Sequence, residues 1–213
     1  MRNVLILFSC LLLIGCAAGN KYNYRAELTS LPLKTTTEQL LLLDLDDRRP
    51  YILSGEKNPD FVGLQRGGFG NPFEVTTASG KPMIDDMASS VAASLEKSGY
   101  SVKIAEGNTD LSQLIILARS HDISRIIRLQ VFEWKSDIYM SIGLHYDLQL
   151  SIYDAEGNLL AENSMKGNEA VGGGKISATQ NSEHMADEFG KRIGYLFNNP
   201  QIRDAMSVNR NGE

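Results

Sequence analysis

Apolar residues recur at different spacings along this chain, and each spacing predicts a different element. Residues 39–46 hold five leucines in a nearly continuous run, which is typical of a strand buried on both faces. From Pro82 to Gly99 the apolar residues recur every fourth position, which predicts an amphipathic helix. A short strand at residues 101–105 and a helix at 111–120 are expected to follow.

In the second half of the chain the spacing changes to two. Residues 142–153 alternate strictly between apolar and polar side chains, the pattern of a half-buried antiparallel strand. Residues 126–134 predict the strand before it, and the turn at 154–158 predicts a hairpin with residues 159–167. Helical spacing returns over 177–198.

This order predicts an α/β (α+β) fold and one sandwich domain. Its elements are expected to run β-α-β-α, followed by a three-stranded antiparallel meander and a C-terminal helix. The domain is expected to span residues 38–206, after a polar tether at 16–37 and before a disordered tail at 207–213.

The first fifteen residues predict a secretory signal peptide, because Arg2 precedes an apolar run too short to cross a bilayer permanently. The run ends in Leu13-Ile14-Gly15-Cys16, which resembles the lipobox of bacterial lipoproteins. The resemblance implies cleavage after Gly15 and acylation of Cys16, and three acyl chains give a stable membrane anchor. Ala17 is not the aspartate that marks inner-membrane retention, so the implied location is the periplasmic face of the outer membrane.

Composition narrows the functional classes. The chain has 213 residues and a net charge of −5, so nothing suggests a nucleic-acid partner. Cys10 lies inside the predicted signal peptide, which leaves Cys16 as the one cysteine of the mature chain and excludes an internal disulfide.

Several short motifs resemble the YajG-type family of uncharacterised bacterial lipoproteins. They are the lipobox, the strand ending in Asp47-Arg48, the segment Leu95–Tyr100, the strand at 146–153 with its Gly157-Asn158 turn, and the long C-terminal helix. More loosely, the layout is similar to periplasmic accessory lipoproteins, including auxiliary lipoproteins of ABC-type lipid transport. The resemblance implies a binding or assembly module without catalytic activity, and a fold-level likeness supplies no activity of its own.

The segment 50–80 is rich in glycine and proline and predicts a long loop. One interpretation is a recognition loop, in which glycine N–H groups and a basic residue attract an anion and phenylalanines anchor a partner. The candidate partner-binding residues are Arg66, Gly67, Gly68, Phe69, Asn71 and Phe73. The other interpretation is a structural loop whose phenylalanines pack into the core.

Three carboxylates, Asp44, Asp46 and Asp47, precede two arginines and offer either a cation site or local ion pairs. A metal-dependent hydrolase would need one of His121, His145 and His184 beside them, and these histidines are far apart in sequence. The glycines at 172–174 with Lys175 do not match a P-loop. Trp134 with Tyr139 predicts either an exposed aromatic patch or buried packing.

The sequence therefore predicts a lipid-anchored, non-enzymatic envelope protein with no cofactor and no catalytic residues. Its expected partners are the membrane, through the anchor, and an envelope protein or a lipid-like ligand. An auxiliary component of a lipid transporter and a metal-dependent hydrolase are the alternatives.

Overall fold

The structure, a computed structural model, describes residues 20–25, 30–33, 35, 39–174 and 177–207. The predicted signal peptide, the lipobox cysteine and most of the predicted tail lie outside these residues. Within them the chain forms eight strands and five helices. The strands are β1 (Lys21–Tyr22), β2 (Leu40–Asp47), β3 (Phe61–Arg66), β4 (Pro72–Thr77), β5 (Ser101–Ile104), β6 (Arg125–Ile138), β7 (Ser141–Tyr153) and β8 (Leu159–Gly173). The helices are α1 (Pro50–Leu53), α2 (Met83–Lys97), α3 (Leu111–Ser120), α4 (Ala178–Phe197) and α5 (Pro200–Met206).

All eight strands belong to one sheet that forks at β6. One edge of β6 pairs antiparallel with β7, which in turn pairs antiparallel with β8. The other edge pairs in parallel with β2 from Arg125 to Val131, and then with β3 from Ser136 to Ile138. One branch therefore ends in β2 and β5, and the other in β3, β4 and β1.

Most of the predicted elements are confirmed, because their burial follows the spacing read from the sequence. The even-numbered residues 142–152 of β7 are all buried, with Tyr146 the most exposed at 9%. In α2 the residues at fourfold spacing are fully buried, and Gly99 follows the helix with a φ of 97°. The coarse class, mixed α/β, is thus confirmed.

Two apolar clusters lie on opposite faces of the sheet. The larger one joins helices α2, α4 and α5 to the odd-numbered leucines of β2 and to the even-numbered residues of β7. The smaller one joins Leu42 of β2 and Ile126 of β6 to Leu114 and Ala118 of α3. This division follows from the alternation of side chains along a strand.

The predicted order of elements is not the observed one, because segment 50–80 is not a long loop. It contains α1 and the hairpin of β3 and β4, and β3 is a paired strand of the sheet. Gly63 of β3 faces Ser136 so closely that a Cβ at position 63 would lie 2.2 Å from the Ser136 Oγ. The glycine that suggested a loop is therefore required for strand pairing.

The predicted tether at 16–37 is also wrong where the structure describes it. Tyr22 and Tyr24 are buried, β1 pairs in parallel with β4, and Leu31 and Leu33 join the larger core cluster. The Arg25 Nε lies 2.7 Å from an Asp86 oxygen, so this segment is also joined to α2 by an ion pair. Among the helices in the described residues, none has the length and apolar character needed to cross a membrane.

Candidate functional site

The structure shows the contacts of two groups of residues that were candidates from the sequence. One is the acidic end of β2, which is buried. The other is the β3–β4 turn, which is exposed at one end of the sheet.

Asp44 and Asp46 both pair with Arg128. The Arg128 Nε lies 3.2 Å from an Asp44 oxygen, and the Arg128 Nη2 donates to Asp46 at 2.8 Å. The Gln130 amide donates to the same Asp46 oxygen at 3.0 Å. Both carboxyl groups are buried, and the Thr109 carbonyl accepts a further hydrogen bond from Arg128.

Asp44 and Asp46 are both buried beside the guanidinium of Arg128, and the half-exposed Arg48 reaches only Asp46, at 3.5 Å. Burial raises the pKa of Asp44 to about 7; Arg128 opposes the shift and Asp46 adds to it. This group is therefore an internal ion-pair cluster with one carboxyl that titrates near neutral pH.

Asp47 lies on the opposite face of β2 from Asp44 and Asp46, and its charge is neutralised by Arg49. Arg49, which is fully buried, donates to both Asp47 oxygens at 2.8 and 2.7 Å. Asp44 and Asp46 thus pair with Arg128, whereas Asp47 pairs with Arg49 on the other side of β2. The three aspartates do not form the joint cation site considered from the sequence.

Another acidic group, which the sequence did not suggest, lies on α4. Atoms of His184, Asp187 and Glu188 lie within 4.8 Å of one another. Lys191 contacts both carboxylates at 2.8 Å, and the His184 Nε2 lies 3.0 Å from the Val171 carbonyl oxygen. These contacts make the group an ion-pair network on the helix surface.

The β3–β4 turn brings the candidate partner-binding residues to the molecular surface. The Gly67 N–H donates to the Asn71 carbonyl, and the Gly70 N–H donates to the Gly67 carbonyl, where Gly70 has a φ of 82°. Phe73 packs against Gly67, since a Cβ on that glycine would lie 3.0 Å from the ring. Phe69 is 99% exposed, so the interpretation that both phenylalanines pack into the core is wrong for Phe69.

Arg66 does not present a free cation. It forms two hydrogen bonds with Asp137 at 2.8 and 2.6 Å, and these bonds lower the pKa of Asp137. With Arg66 paired and the N–H groups of Gly67 and Gly70 engaged in the turn, the geometry does not support the anion cradle considered from the sequence.

The β6–β7 turn lies beside the β3–β4 turn because the ends of β3 and β6 are paired in parallel. The Tyr139 hydroxyl lies 3.5 Å from the Gly68 carbonyl oxygen. Tyr139 is 49% exposed and Met140 82%. We call residues 67–71 and 139–140, together with Phe73, the tip.

The tip gathers four exposed apolar side chains that are far apart in sequence. Phe69, Phe73 and Tyr139 were candidates from the sequence, whereas nothing in the residue pattern marked Met140. Trp134, the other residue of the suggested aromatic patch, is fully buried and donates from Nε1 to the Tyr24 hydroxyl at 3.0 Å. The spacing of apolar and polar residues along the chain cannot reveal such a surface, because the pairing of β3 with β6 brings the two turns together.

No protein-family model and no curated protein matches this chain. Among solved structures the chain is similar to protein XCC0632 from Xanthomonas campestris, of DUF330, with 14% identity over 84% of this chain and 92% of that chain and a TM-score of 0.47. It is also similar to a PelC dodecamer from Paraburkholderia phytofirmans, with 12% identity, 76% and 92% coverage and a TM-score of 0.44. Lipoprotein GNA1162 from Neisseria meningitidis shows 12% identity, 75% and 99% coverage and a TM-score of 0.33. Identity and TM-score are low in all three, so these likenesses transfer no function to the chain.

Proposed function

We propose that this chain is a lipid-anchored, non-enzymatic accessory protein of the bacterial envelope. In this proposal the tip is its binding surface for an envelope protein or a lipid-like ligand. The anchor is the acylated Cys16, and the short motifs described above resemble those of the YajG-type lipoproteins.

The observation that supports a binding role is the exposure of the tip. Phe69 is 99% exposed on a turn that hydrogen bonds hold in shape, so its position is not a requirement of the core. Exposed aromatic side chains on a rigid support are typical of recognition surfaces. The aspartates that would serve a hydrolase are instead paired with Arg49 and Arg128.

The lipobox supports the location. Cleavage after Gly15 would leave the acylated Cys16 four residues before Asn20, whose carbonyl already accepts a hydrogen bond from β4. A domain on so short a connection would remain at the membrane surface. With Ala17 after the cysteine, we propose the periplasmic face of the outer membrane.

The anchor is tested by replacing Cys16 with Ser and fractionating the native host. We expect wild type to carry acyl mass on residue 16 and to sediment with outer membranes, and Cys16→Ser to be unlipidated and either soluble or retained as the precursor. Cys10→Ser is the matched control, since it removes the other cysteine and is expected to fractionate as wild type. Outer-membrane fractionation of Cys16→Ser would refute the anchor.

A further inference from the structure

The tip has a composition unlike that of the rest of the surface. The two turns, residues 67–71 and 139–140, contain no charged residue. Arg66 and Asp137, which lie near the ends of β3 and β6 just before these turns, form an ion pair with each other. The tip therefore combines exposed aromatic and methionine side chains with backbone and amide polar groups, the mixture that membrane–water interfaces favour.

The chain direction allows the proposed anchor to reach the same end of the molecule. β1 runs parallel to β4 with Lys21 opposite Thr76, and β4 begins at the tip with Pro72. Each residue before Lys21 can thus move the chain towards the tip. The four Cα-to-Cα steps from Cys16 to Asn20 can span about 14 Å. Pro72 lies about 13 Å along the strand from Thr76.

The covalent reach of Cys16 therefore extends to the level of the tip. Its acyl chains and the exposed side chains of Phe69 and Met140 can enter one bilayer surface together.

The size of the tip also favours a bilayer over a protein partner. Its four apolar side chains expose on the order of 500 Å². A standard protein interface buries roughly 800 Å² on each partner. A bilayer needs no matching shape, and a few apolar side chains next to a lipid anchor suffice to orient a domain.

We infer that the tip inserts into the bilayer interface beside the acylated Cys16, so that the domain stands with the ends of β3 and β6 on the membrane. This inference rests on the proposed anchor and names phospholipid as the ligand of the tip. The polar outer face of β7 and the opposite end of the sheet would then face the periplasm.

Depth-dependent fluorescence quenching tests this orientation. Acylated Phe69→Trp protein is reconstituted into vesicles of phosphatidylethanolamine with a minority of phosphatidylglycerol, with and without brominated acyl chains. The native Trp134 is buried, and its emission in the otherwise unaltered protein is subtracted. Ile116→Trp is the matched control, because Ile116 is 66% exposed on α3, which packs at the opposite end of β6, about 40 Å away along the strand.

We expect the brominated lipid to remove about half or more of the emission of the Phe69→Trp tryptophan, as for a side chain buried at the acyl boundary, and to leave Ile116→Trp unchanged. Vesicle-bound protein with unquenched Phe69→Trp would overturn the inference while leaving the anchor intact, and would assign the tip to a protein partner. Equal quenching of both variants would also overturn it, since the domain would then have no preferred orientation. Acylated protein that fails to sediment with the vesicles would refute the proposed anchoring itself.

Discussion

Asp44, at the acidic end of β2, was a candidate ligand for a cation from the sequence, but in the structure it is a buried partner of Arg128. Its carboxyl group is buried, and its cationic partner, Arg128, is shared with Asp46. Because burial raises the pKa of Asp44 to about 7, the folded protein retains a proton there to a higher pH than the unfolded chain does. Stability from this residue is therefore full below the unfolded pKa and is lost as the pH rises through 7.

We predict that Asp44→Asn removes this pH dependence. Between pH 5 and pH 8 the contribution of Asp44 to the free energy of unfolding falls by about 2–3 kcal/mol, so the variant should gain stability over wild type as the pH rises. Urea unfolding of both proteins at the two pH values measures the difference. Asp204→Asn, which removes an exposed carboxylate from α5, is the control and should follow wild type. A constant difference between Asp44→Asn and wild type would contradict the raised pKa.

At the scale of elements, the fork in the sheet depends on Arg49. Between the β2 and β3 pairings of β6, Arg49 donates to Asp47 and, at 2.6 Å, to the Phe61 carbonyl at the start of β3. In the same part of β6, Glu133 accepts a hydrogen bond from the Tyr51 hydroxyl at 2.5 Å. One buried guanidinium thus joins the end of one branch to the beginning of the other.

We predict that Arg49→Met destabilises the fold by about 3–5 kcal/mol, because it leaves the Asp47 carboxylate buried without a cation. Arg48→Met is the matched control. The Arg48 side chain is 50% exposed and its ion pair with Asp46 is long, at 3.5 Å, so the expected cost is below about 1 kcal/mol. Chemical unfolding followed by circular dichroism measures both, and the double variant that adds Asp47→Asn should recover part of the loss. Equal effects of the two methionine variants would show that Arg49 has no special role at the fork.

The elements that could be predicted from sequence are those that bury one face, so that apolar residues recur along them at a regular spacing. The helix at Met83–Lys97 and the strand at Ser141–Tyr153 each bury one side against a single layer, so their apolar spacing is regular. The β3–β4 hairpin could not be predicted in this way. Gly63 has no side chain to contribute to an alternating pattern, and its role is the close approach of β3 to Ser136.

At the scale of the whole molecule, the N-terminal segment is part of the core. Tyr24, Trp134 and Phe189 form a cluster of edge-to-face aromatic contacts with ring centroids 5.5 to 6.1 Å apart. The cluster links the segment after β1 to the sheet and to α4. The segment around Tyr24 is thus packed firmly into the domain.

We predict that Tyr24→Phe lowers the free energy of unfolding by about 1–3 kcal/mol, because the buried Trp134 N–H loses its acceptor. Thermal unfolding measures the loss. Tyr195→Phe is the control; its side chain is 63% exposed, and the change should stay within about 0.5 kcal/mol. Identical melting of Tyr24→Phe and wild type would show that the hydrogen bond between Trp134 and Tyr24 contributes nothing to stability.

The residue pattern alone determined the mixed α/β class and most helices and strands, because each depends on the spacing of neighbouring residues. The lipobox cysteine is a prediction of the same local kind. Three features were decided only by the tertiary structure: the sharing of Arg128 by Asp44 and Asp46, the entry of β1 into the sheet, and the meeting of Phe69 with Met140 at the tip. Each of these joins residues that are distant in sequence, and the pairing register of parallel strands leaves no local trace in the order of amino acids.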